Sequence, residues 1–143
     1  KGRMKAIAHF FFFTYVGLVV VAGFWGAFIN PVWDFDFLFS LDVKTLSDFE
    51  RINLLSQYRF LRGLELGFGI FSLYLFKKIF SEIVLHRLFL TIMGLGILAR
   101  IFSWLFDGNP GLLTKFFLIY EATSWCFIFG HGKLKINSNA HQS

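Results

Sequence analysis

Four long apolar stretches, at 6–29, 54–76, 85–106 and 112–130, are separated by short polar or turn-forming segments. The first holds 24 residues. As a helix it reaches about 36 Å, enough to cross a hydrocarbon core of about 30 Å. No formal charge interrupts it, and it predicts a retained membrane span. A secretory signal is the rival reading, because Lys1, Arg3 and Lys5 make a basic start. The run is longer than a signal core, however, and lacks a clear small-x-small cleavage site before Asn30-Pro31. The second stretch carries Arg59, Arg62 and Glu65, the third Arg100 and the fourth Glu121.

The boundaries have local chemical causes. Proline disfavours helical geometry in the residue before it, so Asn30-Pro31 predicts the end of the first helix. Ser47-Asp48-Phe49-Glu50 fits a capping box, which predicts a helix beginning well before the second apolar stretch. Asp107-Gly108-Asn109-Pro110-Gly111 is dense in turn formers and predicts a tight connection between antiparallel helices. Between the first two stretches, residues 33–42 alternate: Trp33, Phe35, Phe37, Phe39 and Leu41 on one parity, Asp34, Asp36, Ser40 and Asp42 on the other. Period-two alternation predicts an extended, two-faced strip, either an interfacial loop resting its rings at headgroup level or a lid over a cavity. No partner strand is evident for it.

Composition agrees with a membrane setting. Hydrophobic residues make up 56% and charged residues 16% of the 143, and 30 aromatic rings exceed what a soluble interior of this size can hide. The single cysteine, Cys126, excludes an internal disulfide and cysteine-based metal patterns. A formal charge of +5 could suggest nucleic acid, but the basic residues sit at the ends of apolar runs rather than in a stripe interleaved with stacking rings. They report topology instead. With both termini inside, Lys1, Arg3, Lys5, Lys77, Lys78, Arg87, Lys133 and Lys135 are cytoplasmic, and Lys44, Arg51 and Lys115 are outside. Eight against three, or six against three without Lys1 and Arg3, favours that orientation. The expected fold is all-α: a single four-span antiparallel membrane bundle over 1–143, with an outer loop at 30–53 and a short cytoplasmic tail at 131–143.

The charges inside the apolar stretches are the informative residues. Each costs on the order of 2.5–3.5 kcal/mol at a lipid-facing helix centre, so such groups face one another, a cavity or water. Counted from the outer ends, their depths run from about 8 Å for Arg59 to about 17 Å for Glu65, all in the outer half. Gly96, Arg100, Ser103 and Asp107 share one helix face, and Arg59 and Arg62 are one turn apart. These stripes are expected to converge. The first helix is a scaffold, with Gly17, Gly23 and Gly26 permitting close approach. Arg59, Arg62 and Arg100 balance Glu65 and Glu121, with Asp107 at the rim completing neutrality. Three readings follow: a self-compensating network that locks helices in register; a guanidinium fork left free to grip an anionic head group; or a proton relay, against which stand the lack of broken helices and of an inverted repeat.

Other chemistry has less support. His9, His86, His131 and His141 fall in different segments, so a metal site would need distant parts to meet. Cys126 reads as a small hydrophobe. Ser103 and Ser124 have no adjacent histidine base. Gly63, Gly67, Gly69, Gly94 and Gly96 lie inside apolar helices and read as packing positions rather than phosphate loops. No cofactor is implied.

Asn53, then Arg59-Phe-Leu-Arg-Gly63 and Gly67, then Gly96 and Arg100 through Ser103 to Asp107-Gly108-Asn109-Pro110, and finally Glu121 resemble a known pattern. It is that of the four-span bacterial membrane family called domain of unknown function 4345, itself distantly similar to DoxX-type tetraspan proteins. The resemblance implies a four-helix membrane bundle and brings no activity with it; Arg62 and Glu65 look like additions to the family pattern. The expected protein is a multi-pass component of a bacterial cytoplasmic membrane. It is expected to hold a lipid-like or small anionic ligand, or to serve as an accessory subunit, with membrane lipids, further copies of itself or a membrane complex as partners. Arg59 and Arg100 are the head-group contacts, Glu121 their counter-ion, Asp107 the cap at the mouth, and Arg62, Glu65 and Ser103 further members. The alternatives are a membrane enzyme using Glu121 or Glu65 as acid or base, a small transporter, or a structural helper.

Overall fold

The computed structural model describes residues 2–140, of which 133–140 are described by backbone only. Lys1, His141 and the side chains of Lys133 and Lys135 lie outside the described residues. The helices are α1 (Gly2–Phe24), α2 (Pro31–Phe39), α3 (Asp48–Tyr74), α4 (Phe76–Ser81), α5 (Ile83–Phe106) and α6 (Leu112–Ala140). A π-helical turn, Trp25–Ile29, closes α1, and a 3₁₀ turn, Val43–Thr45, precedes α3. No strand occurs among the described residues. Three helices are long and apolar enough to cross a membrane: Gly2–Ile29, Ile83–Phe106 and Leu112–Gly132. The chain is thus an all-helical membrane protein. α3 has the length, 27 residues, but its charges set it apart from those three.

The aromatic strip is a helix, not an extended segment. Asn30 ends the π turn, its amide donating to the Trp25 carbonyl at 3.1 Å, while its side-chain oxygen accepts from the Trp33 amide at 3.1 Å to cap α2. Pro31 occupies the first position of α2, where its missing N–H costs nothing and its fixed φ suits a helix. In a segment this short the alternating rings also satisfy i, i+4 spacing, and Trp33 stacks on Phe37 at 4.7 Å. Ser40, in the left-handed region at φ +52°, stops the helix. The capping box forms as expected: the Ser47 amide and hydroxyl donate to Glu50 Oε2 at 3.0 and 2.6 Å, and the Glu50 amide donates to Ser47 Oγ at 3.3 Å. Those bonds hold the Glu50 carboxyl below the usual carboxylate range. The turn at 107–111 is present with Gly108 at φ +121°. α4 is an addition: the sequence pattern left 77–84 as a plain connection. α6 continues helically through the segment read as a tail, as far as it is described.

The chain divides into two compact units, one of residues 1–15 and 75–143, the other of residues 16–74. In the first, α5 and α6 run antiparallel, as their partners show: Arg100 meets Glu121, and farther along the Trp125 indole donates to the Leu90 carbonyl at 2.9 Å. The start of α1 packs antiparallel on α6, with Phe11 stacked on Phe127 at 4.9 Å and the Tyr120 hydroxyl donating to Thr14. Phe12, Ile79, Phe89, Met93 and Ile128 form this unit's core. In the second unit, the end of α1 lies against α3 with very small residues at the contact. A Cβ on Gly23 would fall 2.8 Å from the Leu66 amide nitrogen, and one on Gly69 would fall 2.5 Å from the Val20 side chain. Gly17, expected to serve the same purpose, faces open space.

Candidate functional site

The seven residues singled out from the sequence fall into both units. Arg59, Arg62 and Glu65 belong to the 16–74 unit; Arg100, Ser103, Asp107 and Glu121 belong to the other.

In the 16–74 unit the organising residue is Arg62, which the sequence pattern ranked second. Its Nη1 donates to Glu65 Oε2 at 2.6 Å, and its Nε donates to the Tyr58 hydroxyl at 2.8 Å. That hydroxyl donates in turn to Asp34 Oδ2 at 2.7 Å, which lies 3.8 Å from Arg62 Nε. A continuous chain therefore runs from Glu65 through Arg62 and Tyr58 to Asp34. The Arg62 side chain is 16% accessible and the Asp34 side chain 6%, so these charges are withdrawn from solvent and must satisfy each other. Glycine at 26 makes the room: a Cβ there would fall 2.7 Å from Arg62 Cγ and 2.8 Å from Asp34 Oδ2.

Asp34 and Tyr58 were missed as members of a site because Asp34 was read as the polar side of an extended strip. A helix starting at Pro31 instead puts Pro31, Asp34 and Phe35 on one buried face, at i, i+3, i+4 spacing. Tyr58 lies one turn before Arg62 on α3, so the i, i+4 spacing was the available signal.

Arg59 has a different environment. Its Nη1 donates to the carbonyl of Ala27 in the π-helical turn, and no carboxylate pairs with it among the described residues. Pro31, four residues after Ala27, has no N–H to give that carbonyl, and Arg59 uses it as an anchor. The residue is exposed, and at Gly63, one turn along, there is open space. Beside the chain of Arg62, α2, the segment after it and α3 border an open apolar groove of about 220 Å³, lined by Phe35, Phe39, Leu41, Leu54, Gln57, Tyr58 and Leu61.

In the other unit, Arg100 and Glu121 meet in a fork, Nε to Oε2 at 2.9 Å and Nη2 to Oε1 at 3.3 Å. Two parallel bonds of this kind fix orientation as well as distance. Ser103 and Asp107 are exposed. Asp107 sits at the C-cap of α5, where its amide donates to the Ser103 carbonyl at 2.7 Å. Asp107 makes no ion pair among the described residues; Asp34 and Glu65 both face Arg62 in one unit, and Glu121 faces Arg100 in the other. An acid at the exposed end of a helix gains nothing by entering the bundle, whereas Asp34 is carried inward by α2.

If the fork holds α5 to α6, Arg100→Leu will destabilise the detergent-solubilised protein, and adding Glu121→Leu will restore part of the loss. A coupling of about 0.5–3 kcal/mol is expected in the double-mutant cycle. Equal losses in the single and double variants would count against pairing.

His9, His86 and His131 all border Phe80, with ring centroids 4.5, 6.2 and 5.6 Å away. Distant segments thus do bring histidines near one another, yet among the described residues no group of three or more metal-binding side chains has an arrangement able to hold an ion.

A family model described as a domain of unknown function, DUF4345, matches residues 6–130. The match takes in α1 and α2 as well as the 53–121 stretch that carried the resemblance. No curated protein and no solved structure matches the chain.

Proposed function

This chain belongs to the DUF4345 family, whose description assigns no activity, and from that premise we propose that it binds an anionic, lipid-like molecule through Arg59. The proposed setting is a bacterial cytoplasmic membrane with both termini inside, α3 serving as the charged fourth span. The observation that carries the reading is the contrast among three guanidinium groups on apolar helices. Arg62 is taken by Glu65, Tyr58 and Asp34, and Arg100 is taken by Glu121. Arg59 is held by one carbonyl and is exposed as a residue. A planar fork anchored at one nitrogen is suited to a phosphate or carboxylate, and the exposed Phe60, next to Arg59 in the chain, and Phe28 and Ile29, just after its anchor Ala27, suit the apolar part of such a molecule.

A structural role is the second reading, favoured by the full neutralisation of Arg62 and Arg100. Native mass spectrometry of gently solubilised protein separates the two. Arg59→Gln should lower occupancy by a co-purifying anionic lipid at least tenfold, a loss of about 1.4 kcal/mol or more, with thermal stability close to the parent. Unchanged occupancy in that variant, or parent protein that is repeatedly empty, would leave the structural role standing.

A further inference from the structure

The 1–15 and 75–143 unit carries a second surface that the Arg59 reading does not use. α4 is short and two-sided. Its Ile79 is 1% exposed, and its Phe76 and Phe80 pack on His9 with ring centroids at 5.1 and 4.5 Å and on Phe12 at 5.3 Å each. The start of α5 is tied to the same place, since His86 Nδ1 lies 3.2 Å from the Ile79 carbonyl. One end of the unit therefore gathers the beginning of α1, all of α4 and the beginning of α5. Lys77 and Lys78 point outward from α4, Arg87 follows His86, and Lys5 is one helical turn before His9 with Arg3 beyond it; all five are exposed.

None of the five has an ion pair among the described residues, whereas Arg51, Arg62 and Arg100 are each bonded to a carboxylate. Glu82 is the single acid at this end, so the local excess is four positive charges, five minus one. Apolar side chains are exposed at the same level: Phe13 at 46%, Ile83 at 40%, Val84 at 73% and Leu88 at 47%. Cations set among exposed hydrocarbon match the boundary where acyl chains give way to head groups, and a water-soluble acidic partner would leave those apolar residues uncovered.

We propose that this α4-centred collar is a docking surface for anionic phospholipid, with Lys77, Lys78 and Arg87 as the principal head-group contacts. Attraction between such residues and an anionic surface amounts to roughly fivefold in affinity per cation. In nanodiscs of phosphatidylcholine containing a minor share of phosphatidylglycerol, the released protein should retain phosphatidylglycerol well above its share, and added salt should weaken the retention. The Lys77→Gln/Lys78→Gln/Arg87→Gln variant should lose most of that enrichment, on the order of a hundredfold in affinity, while its helical circular dichroism stays that of the parent. Arg59→Gln, measured in parallel, should lose the one anionic molecule counted at the Arg59 site by native mass spectrometry and keep the salt-sensitive part of the enrichment, whereas the triple variant should show the reverse, so that failure of one site is read apart from failure of the other. Retention of phosphatidylglycerol in proportion to its share, or equal enrichment in parent and triple variant, overturns the proposal.

Discussion

Arg62→Leu is expected to destabilise the protein by about 3–5 kcal/mol, the cost of breaking a buried ion pair by removing one partner. The magnitude follows from what remains. Asp34 would keep the Tyr58 hydroxyl bond at 2.7 Å and lose its nearby cation, in a setting where only 6% of its side chain is accessible. Glu65, at 44% accessible, can turn toward solvent and contributes less to the loss. The companion variant Arg62→Leu/Asp34→Leu removes both charges and should recover a large part of the deficit, because an apolar replacement of a whole buried pair is often close to neutral. Denaturation of the solubilised protein, followed by circular dichroism, measures both. A single variant within about 1 kcal/mol of the parent would mean that the chain from Glu65 to Asp34 contributes little more than a surface pair does.

Two glycines of α1 should respond in opposite directions. Gly23→Ala places a Cβ 2.8 Å from the Leu66 nitrogen and 2.9 Å from the Arg62 carbonyl oxygen. Both are backbone atoms, so no side chain can rotate away and the two helices must move apart. Overpacking of this kind costs about 1–3 kcal/mol and sometimes more, and the shift would also disturb Arg62 and its partners. Gly17→Ala meets nothing within 4 Å. It should gain up to about 1 kcal/mol from the better helix propensity of alanine. Melting temperatures of the two variants in one detergent decide the matter. Similar changes at both positions would show that the approach of α1 to α3 is looser than the structure has it.

The same contrast explains how far a reading of residue order can go. Gly17, Gly23 and Gly26 look alike along the chain, each a small residue in an apolar helix. Which of them admits a neighbour depends on where α3 lies, and spacing within α1 holds no information about that. The ends of the helices were different. Asn30-Pro31, Ser47 with Glu50, and 107–111 act through bonds to residues within a few positions, so their effect could be read before any packing was known. Arg100 and Glu121 were singled out separately for their cost in lipid; their union across 21 positions needed the antiparallel return of α6. Asp34 falls on the wrong face in that reading because alternation over the ten residues 33–42 satisfies a strand and a short helix alike, and the cap from Asn30 decides for the helix.

Residue order was sufficient for the helical class, for the three helices apolar enough to cross a membrane, for the caps and turns at Asn30-Pro31, Ser47 with Glu50 and 107–111, and for the expectation that charges on apolar helices find partners. Those properties depend on transfer energies and on hydrogen bonds between near neighbours. Partner choice came from the folded chain: Arg62 rather than Arg59 at the centre of a network, Asp34 drawn into that network, and Arg59 bonded to a carbonyl with no carboxylate beside it among the described residues. A guanidinium pairs with whichever oxygen lies within about 3 Å, and distances on that scale between remote segments exist only after the helices have packed.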